Sequence, residues 1–159
     1  MATRTISAQN FVSVTALIWL GMLLGVSFLA TPVKFLAPSL SLPVALDVGR
    51  QTFAVFSVVE VIVLFILLSA SWLSGRRRRL MSLSFLIGCL MAVQFFWLLP
   101  ALDARVEIIL QGGAVPESSL HNLYIVIDSA KLLMLSIVCW SARASAFVSP
   151  VPGVAENAR

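Results

Sequence analysis

Four stretches of this chain, about 11–31, 53–74, 80–99 and 120–140, run almost without charge. Crossing the hydrocarbon core of a bilayer as an α-helix takes about twenty such residues. In lipid, a helix satisfies every backbone N–H and C=O inside one segment. The expectation is an all-α fold, a four-span transmembrane helical bundle over residues 1–143, with a disordered tail at 144–159. Composition agrees, since 60% of residues are hydrophobic and only 11% charged, whereas a soluble domain carries about a quarter charged. The first stretch exceeds the apolar core of a secretory signal and three more follow, so it reads as a retained span.

Basic residues set the expected orientation. With four spans, both ends of the chain and the 75–79 connection share a side, and that side holds Arg4, the Arg76–Arg79 run, Arg143 and Arg159. The other side has Lys34, Arg50 and Arg105, offset by Asp47, Asp103, Glu107 and Glu117. Short positive loops stay cytoplasmic. The chain is therefore expected in a plasma (bacterial inner) membrane, as a multi-pass protein with both termini cytoplasmic. Trp72, Trp97 and Trp140 lie near span ends, where an aromatic belt would sit. The formal charge of +4 gathers in the arginine run, and no soluble basic face is interleaved with aromatics. Nucleic acid is therefore not an expected partner, and the lipid bilayer is.

The outer connections carry structure of their own. Residues 32–52 hold Pro32, Pro38 and Pro43, followed by a segment expected to extend the second span outward. Residues 100–111 read as a short helix stopped by Gly112 and Gly113. Gly21 and Gly25 form a GxxxG pair that permits close helix approach, within the bundle or in a dimer.

The two halves also resemble each other. Gly21–Phe28 falls on Gly88–Phe95 at a shift of 67, and one residue later Pro32 meets Pro100. Glu60 then meets Asp128, and Trp72 meets Trp140. Two hairpins repeated in parallel would be related by an axis along the membrane normal, with a site between them.

The informative residues are the polar ones inside the spans. On insertion scales a central acid or base costs about 2.5–3.5 kcal/mol, against about 0.3–0.6 returned by each large aliphatic. The second span tolerates Glu60, but the fourth carries Asp128 and Lys131 and needs partners. At 1.5 Å per residue, Glu60, Gln94, Asp128 and Lys131 fall in one layer, roughly 10–16 Å below the outer boundary. His121, Tyr124, Asp128 and Lys131 share one face of the fourth helix, a stripe expected to lead inward from the outer surface. Arg50 and Asp103 are expected to line the same outer access. One lysine against two carboxyl groups leaves an acid in surplus. The layer reads either as a polar site or as an ion pair holding the bundle in register. The single histidine cannot form a bis-histidine haem site within one chain. Cys89 and Cys139 lie in apolar runs with no metal-ligand spacing, so no metal site is expected, and the sequence specifies no cofactor.

At Phe28–Phe35, at Asp47–Arg50 leading to Phe53 and Glu60, and at Ser119–Tyr124, the chain resembles small bacterial membrane proteins. It is also loosely similar to the four-helix family typified by transmembrane protein 205. The resemblance implies a four-helix membrane fold and carries over no catalytic residue. The leading functional expectation is a small transport or membrane-accessory protein, not an enzyme, whose polar layer takes a proton, an ion or a small polar solute. Four helices enclose little volume, so a homo-oligomer or a membrane-protein partner is expected. The alternatives are a membrane-embedded redox or cofactor protein using His121 and Tyr124, and a structural assembly factor.

Overall fold

The computed structural model describes residues 2–74 and 77–143, with side chains over 8–74 and 78–143. The expected tail at 144–159, with Arg159, and Arg76 of the orientation argument lie outside the described residues. Among those described, the only regular structure is helix. α1 is Ala2–Leu23, continued by a π-helical stretch Leu24–Ala30, by Thr31–Val33 and by a 3-10 turn Lys34–Leu36. α2 is Leu42–Leu73. α3 is Arg77–Val93, continued through a π-helical stretch Gln94–Leu98 into Leu99–Leu110. α4 is Leu120–Arg143. All four are long and apolar enough to cross a membrane, and they form an all-α four-helix bundle.

Pro32 and Pro100, which follow the expected ends of the first and third spans, do not interrupt their helices. Proline lacks an N–H and its ring presses on the carbonyl four residues back. The chain meets both demands by widening the turn beforehand. Thr31 N–H donates to Val26 O, and Leu99 N–H donates to Gln94 O, each five residues back. The Thr31 hydroxyl also donates to Val26 O, at 2.8 Å. A wide turn absorbs the proline and the helix continues. Only 37–41 therefore connect α1 to α2, and the segment at 100–111 is the end of α3 and not a separate helix. The α3 stop is as expected. Gly112 takes φ 79°, Gly112 N–H reaches Ile109 O and Gly113 N–H reaches Ile108 O at 2.8 Å, a Schellman ending. Across the 37–41 connection, α2 opens with Ser41 extended and proline in its first turn, where the missing N–H costs nothing.

The helices form a ring in chain order, each packed on the next, and α1 closes the ring on α4. α1 and α3 run in one direction, α2 and α4 in the other. An offset of 68 positions brings much of one buried face onto the other, although Ser57, Leu98 and Ser141 correspond to exposed Ile125, Ala30 and Leu73. Val12, Ala16, Trp19 and Leu23 of α1 correspond to Leu80, Ser84, Ile87 and Met91 of α3, all buried. Phe56, Glu60, Leu67 and Ala70 of α2 correspond to Tyr124, Asp128, Leu135 and Val138 of α4, again all buried. The two wide turns obey the same offset, as Val26 to Gln94 and Thr31 to Leu99. The match of Gly21 to Gly88 one position earlier is not structural. A side chain at Gly88 would meet Leu64, whereas Gly21 faces open space. Gly25 does too, so the GxxxG pair makes no close approach within the bundle.

The outside of the ring is apolar. Phe65, Phe85, Phe96, Val126 and Leu133 are among many large hydrophobics left exposed, and Trp72, Trp97 and Trp140 point outward with them. Glu60, Gln94, Asp128 and Lys131 are instead turned inward, as lipid-facing helices require, while exposed serines such as Ser69 and Ser129 bond to their own helix backbone.

Candidate functional site

Four side chains picked from the sequence converge inside the ring. Glu60, Gln94, Asp128 and Lys131 are all buried, the last two completely. Lys131 Nζ lies 2.8 Å from Glu60 Oε1 and 2.9 Å from Asp128 Oδ1, so one ammonium bridges the two acids. Gln94 Nε2 donates to Asp128 Oδ1 at 2.9 Å. The cluster has one member the sequence did not reveal: Trp19 Nε1 donates to Glu60 Oε1 at 3.0 Å. A tryptophan far from either span end must bond its N–H somewhere in the bundle, and that was the available signal.

The duplication explains the layout. Glu60 and Asp128 are equivalent positions of the two hairpins, and each accepts a hydrogen bond from the other helix of its own hairpin. Lys131 breaks the symmetry, because its equivalent in α2 is Val63. The buried layer thus holds two acids and one base among the described residues. Each charge taken into the hydrocarbon costs a few kcal/mol, and the bonds to Lys131, Gln94 and Trp19 offset that cost unevenly. Asp128 Oδ1 has two partners, while Asp128 Oδ2 is buried and has none.

A cavity of about 260 Å³ lies above this carboxyl group, between α1 and α4. Asp128 lines it, with Tyr124 and His121 successively nearer the end of the bundle that carries the 37–41 and 111–119 connections. Tyr124 is buried and stacks at a tilt on Phe53 of α2, with ring centroids 4.9 Å apart. His121 is exposed at the mouth. α1 contributes Phe28 and Phe35, and also Ser27, whose hydroxyl is buried without a partner. Ser27 and Phe28 lie within the π-helical stretch, so the irregular backbone falls where it lines a cavity. The expected stripe of His121, Tyr124 and Asp128 does lead inward, and Lys131 lies beneath it.

The other hairpin junction has its own groove, of about 330 Å³, between α2 and α3. Ser57, Phe95, Leu99, Pro100 and Asp103 line it, at the positions equivalent to Ile125, Ser27, Thr31, Pro32 and Phe35 of the first cavity. Arg50 also lines this second groove and donates to Asp47 and Glu107, both at 2.9 Å, tying α2 to α3. Arg50 and Asp103 therefore do not share an access face with His121 and Tyr124, because the ring separates the two junctions. The second groove does not reach its acid. Glu60 lines only a crevice of about 10 Å³ beside Gln94 and Tyr124, room for about one water. Of the two equivalent acids, Asp128 lines the larger space, about 260 Å³ against about 10 Å³.

Among the described residues no group of three or more His, Cys, Asp or Glu side chains is placed to hold a metal ion. No family model, curated protein or solved structure matches this chain.

Proposed function

We propose that this protein binds a proton, an ion or a small polar solute at Asp128, within the membrane, as a small transport or membrane-accessory component. The observation that carries the reading is Asp128, which lines a 260 Å³ cavity and whose Oδ2 is buried without a partner. A carboxylate oxygen kept from water without a donor is costly, and a donor arriving through the cavity would relieve that cost. In this reading the membrane is a bacterial inner membrane, the termini are cytoplasmic and the cavity opens outward, in keeping with the arginine-rich end of the bundle. The protein would act as an oligomer or beside a partner, since one ring of four helices encloses little volume.

The competing reading makes the cluster a structural tie, and the double bridge of Lys131 favours it. Water access separates the two. In a background with Cys89 and Cys139 replaced by Ala, Ser27→Cys is exposed to a membrane-impermeant methanethiosulfonate in sealed vesicles. The ligand-site reading expects labelling from one side only. A thiol that stays unlabelled from both sides, in a folded protein, leaves the structural tie as the answer.

A further inference from the structure

We infer that the ligand of the Asp128 cavity is a small organic cation, an ammonium bearing methyl or short alkyl groups. The inference rests on reading that cavity as a binding site and adds the chemical class. Three observations point the same way.

The first is charge. Glu60, Asp128 and Lys131 are the charged side chains buried among the described residues, so the layer holds one carboxyl group more than its single ammonium can pair. Asp128 lines the cavity and its Oδ2 has no partner, so a monocation there would complete the balance. A neutral solute would leave the surplus in place, and an anion would double it.

The second is the wall. Phe28, Phe35, Phe53 and Tyr124 line the cavity, an aromatic enclosure with a carboxylate at its base. Aromatic faces attract cations through their quadrupole, and rings grouped around a carboxylate suit alkylated ammonium groups. The protein already uses such a contact at the mouth. Lys34 Nζ sits 5.1 Å from the centroid of the Phe35 ring, and Lys34 itself does not line the cavity.

The third is the scarcity of oxygen. Hard metal cations take about six or more oxygen ligands. Here the Asp128 carboxyl is joined by side-chain oxygens only from Ser27, Thr31 and Tyr124, with the His121 imidazole at the mouth and the rest of the wall apolar. Such a lining suits a cation with an apolar surface, and a space of about 260 Å³ is large for a bare ion.

The test compares two molecules of one shape. Choline and 3,3-dimethylbutan-1-ol differ in that a quaternary nitrogen replaces a carbon, and so in charge. Full-length protein in lipid nanodiscs is incubated with radiolabelled choline, and tetramethylammonium or the uncharged alcohol is added as competitor. The expected result is displacement by tetramethylammonium and none by the alcohol. Phe53→Leu should weaken choline binding roughly tenfold and Asp128→Asn should abolish it. Phe95→Leu in the second groove should leave it unchanged. Wild-type competition needs no variant to fold, so it decides the matter alone if Asp128→Asn proves unstable. Equal displacement by the alcohol overturns the cationic class. So does absence of choline binding at millimolar concentration while Ser27→Cys is labelled, and in both cases the cavity remains a site. Absence of binding together with an unlabelled Ser27→Cys overturns both readings.

Discussion

Lys131 is the residue on which the buried layer depends. Its ammonium is the only base set against Glu60 and Asp128, and removing one partner of a buried ionic group strands the others. Lys131→Met should therefore cost about 3–5 kcal/mol of stability, read by thermal unfolding in detergent micelles. Adding Glu60→Gln and Asp128→Asn to it should restore most of that loss, because no charge is then left unpaired. A Lys131→Met protein as stable as the wild type would show that the bridge contributes little. At this scale the sequence was informative for a physical reason: Glu60, Gln94, Asp128 and Lys131 are conspicuous in apolar spans because lipid penalises them. Trp19, Phe28 and Phe53 were not conspicuous. An aromatic residue facing a cavity and one facing lipid look alike in a sequence, and only the neighbouring helices tell them apart.

Helix ends and irregular turns were legible in part. The Gly112 stop could be read because a left-handed residue favours glycine. Gly112→Ala at φ 79° should cost about 1 kcal/mol and lower the melting temperature without altering the Asp128 cavity, which lies between α1 and α4. An unchanged melting temperature would mean that the Schellman ending adds nothing to the fold. The prolines misled. The residue before a proline is biased away from helix, so Pro32 and Pro100 suggested boundaries. In lipid the backbone has no water to bond instead, and a wide turn keeps Thr31 and Leu99 bonded to carbonyls five residues back. The sequence carried the proline pair but not this outcome, which depends on the solvent around the helix.

The whole molecule is two hairpins joined by unequal ties. Trp19 to Glu60 is a bond within the first hairpin, and Gln94 to Asp128 lies within the second. Lys131 to Glu60 crosses between them. The first hairpin alone thus holds one buried acid with one donor, whereas the second alone holds an acid and a base at a combined insertion cost of about 5–7 kcal/mol. Gln94 offsets part of that, and the base still lacks Glu60. Expressed separately, residues 1–76 should accumulate in the membrane, while residues 77–159 should be degraded. Co-expression should rescue the second fragment, and Glu60→Leu in the first should reduce that rescue, read as fragment abundance after synthesis is blocked. A second hairpin that accumulates alone would mean that the charges of α4 are satisfied without α2. The Glu60 arm separates mere packing from ionic pairing, since Leu retains the apolar contact and removes the acceptor. If rescue by the Leu variant equals that by wild type, the ring is assembled by its apolar faces alone. Assembly through Lys131 would instead bring the Asp128 cavity and the bundle into being together, because the base that joins the hairpins also sets which carboxylate oxygen is left without a partner.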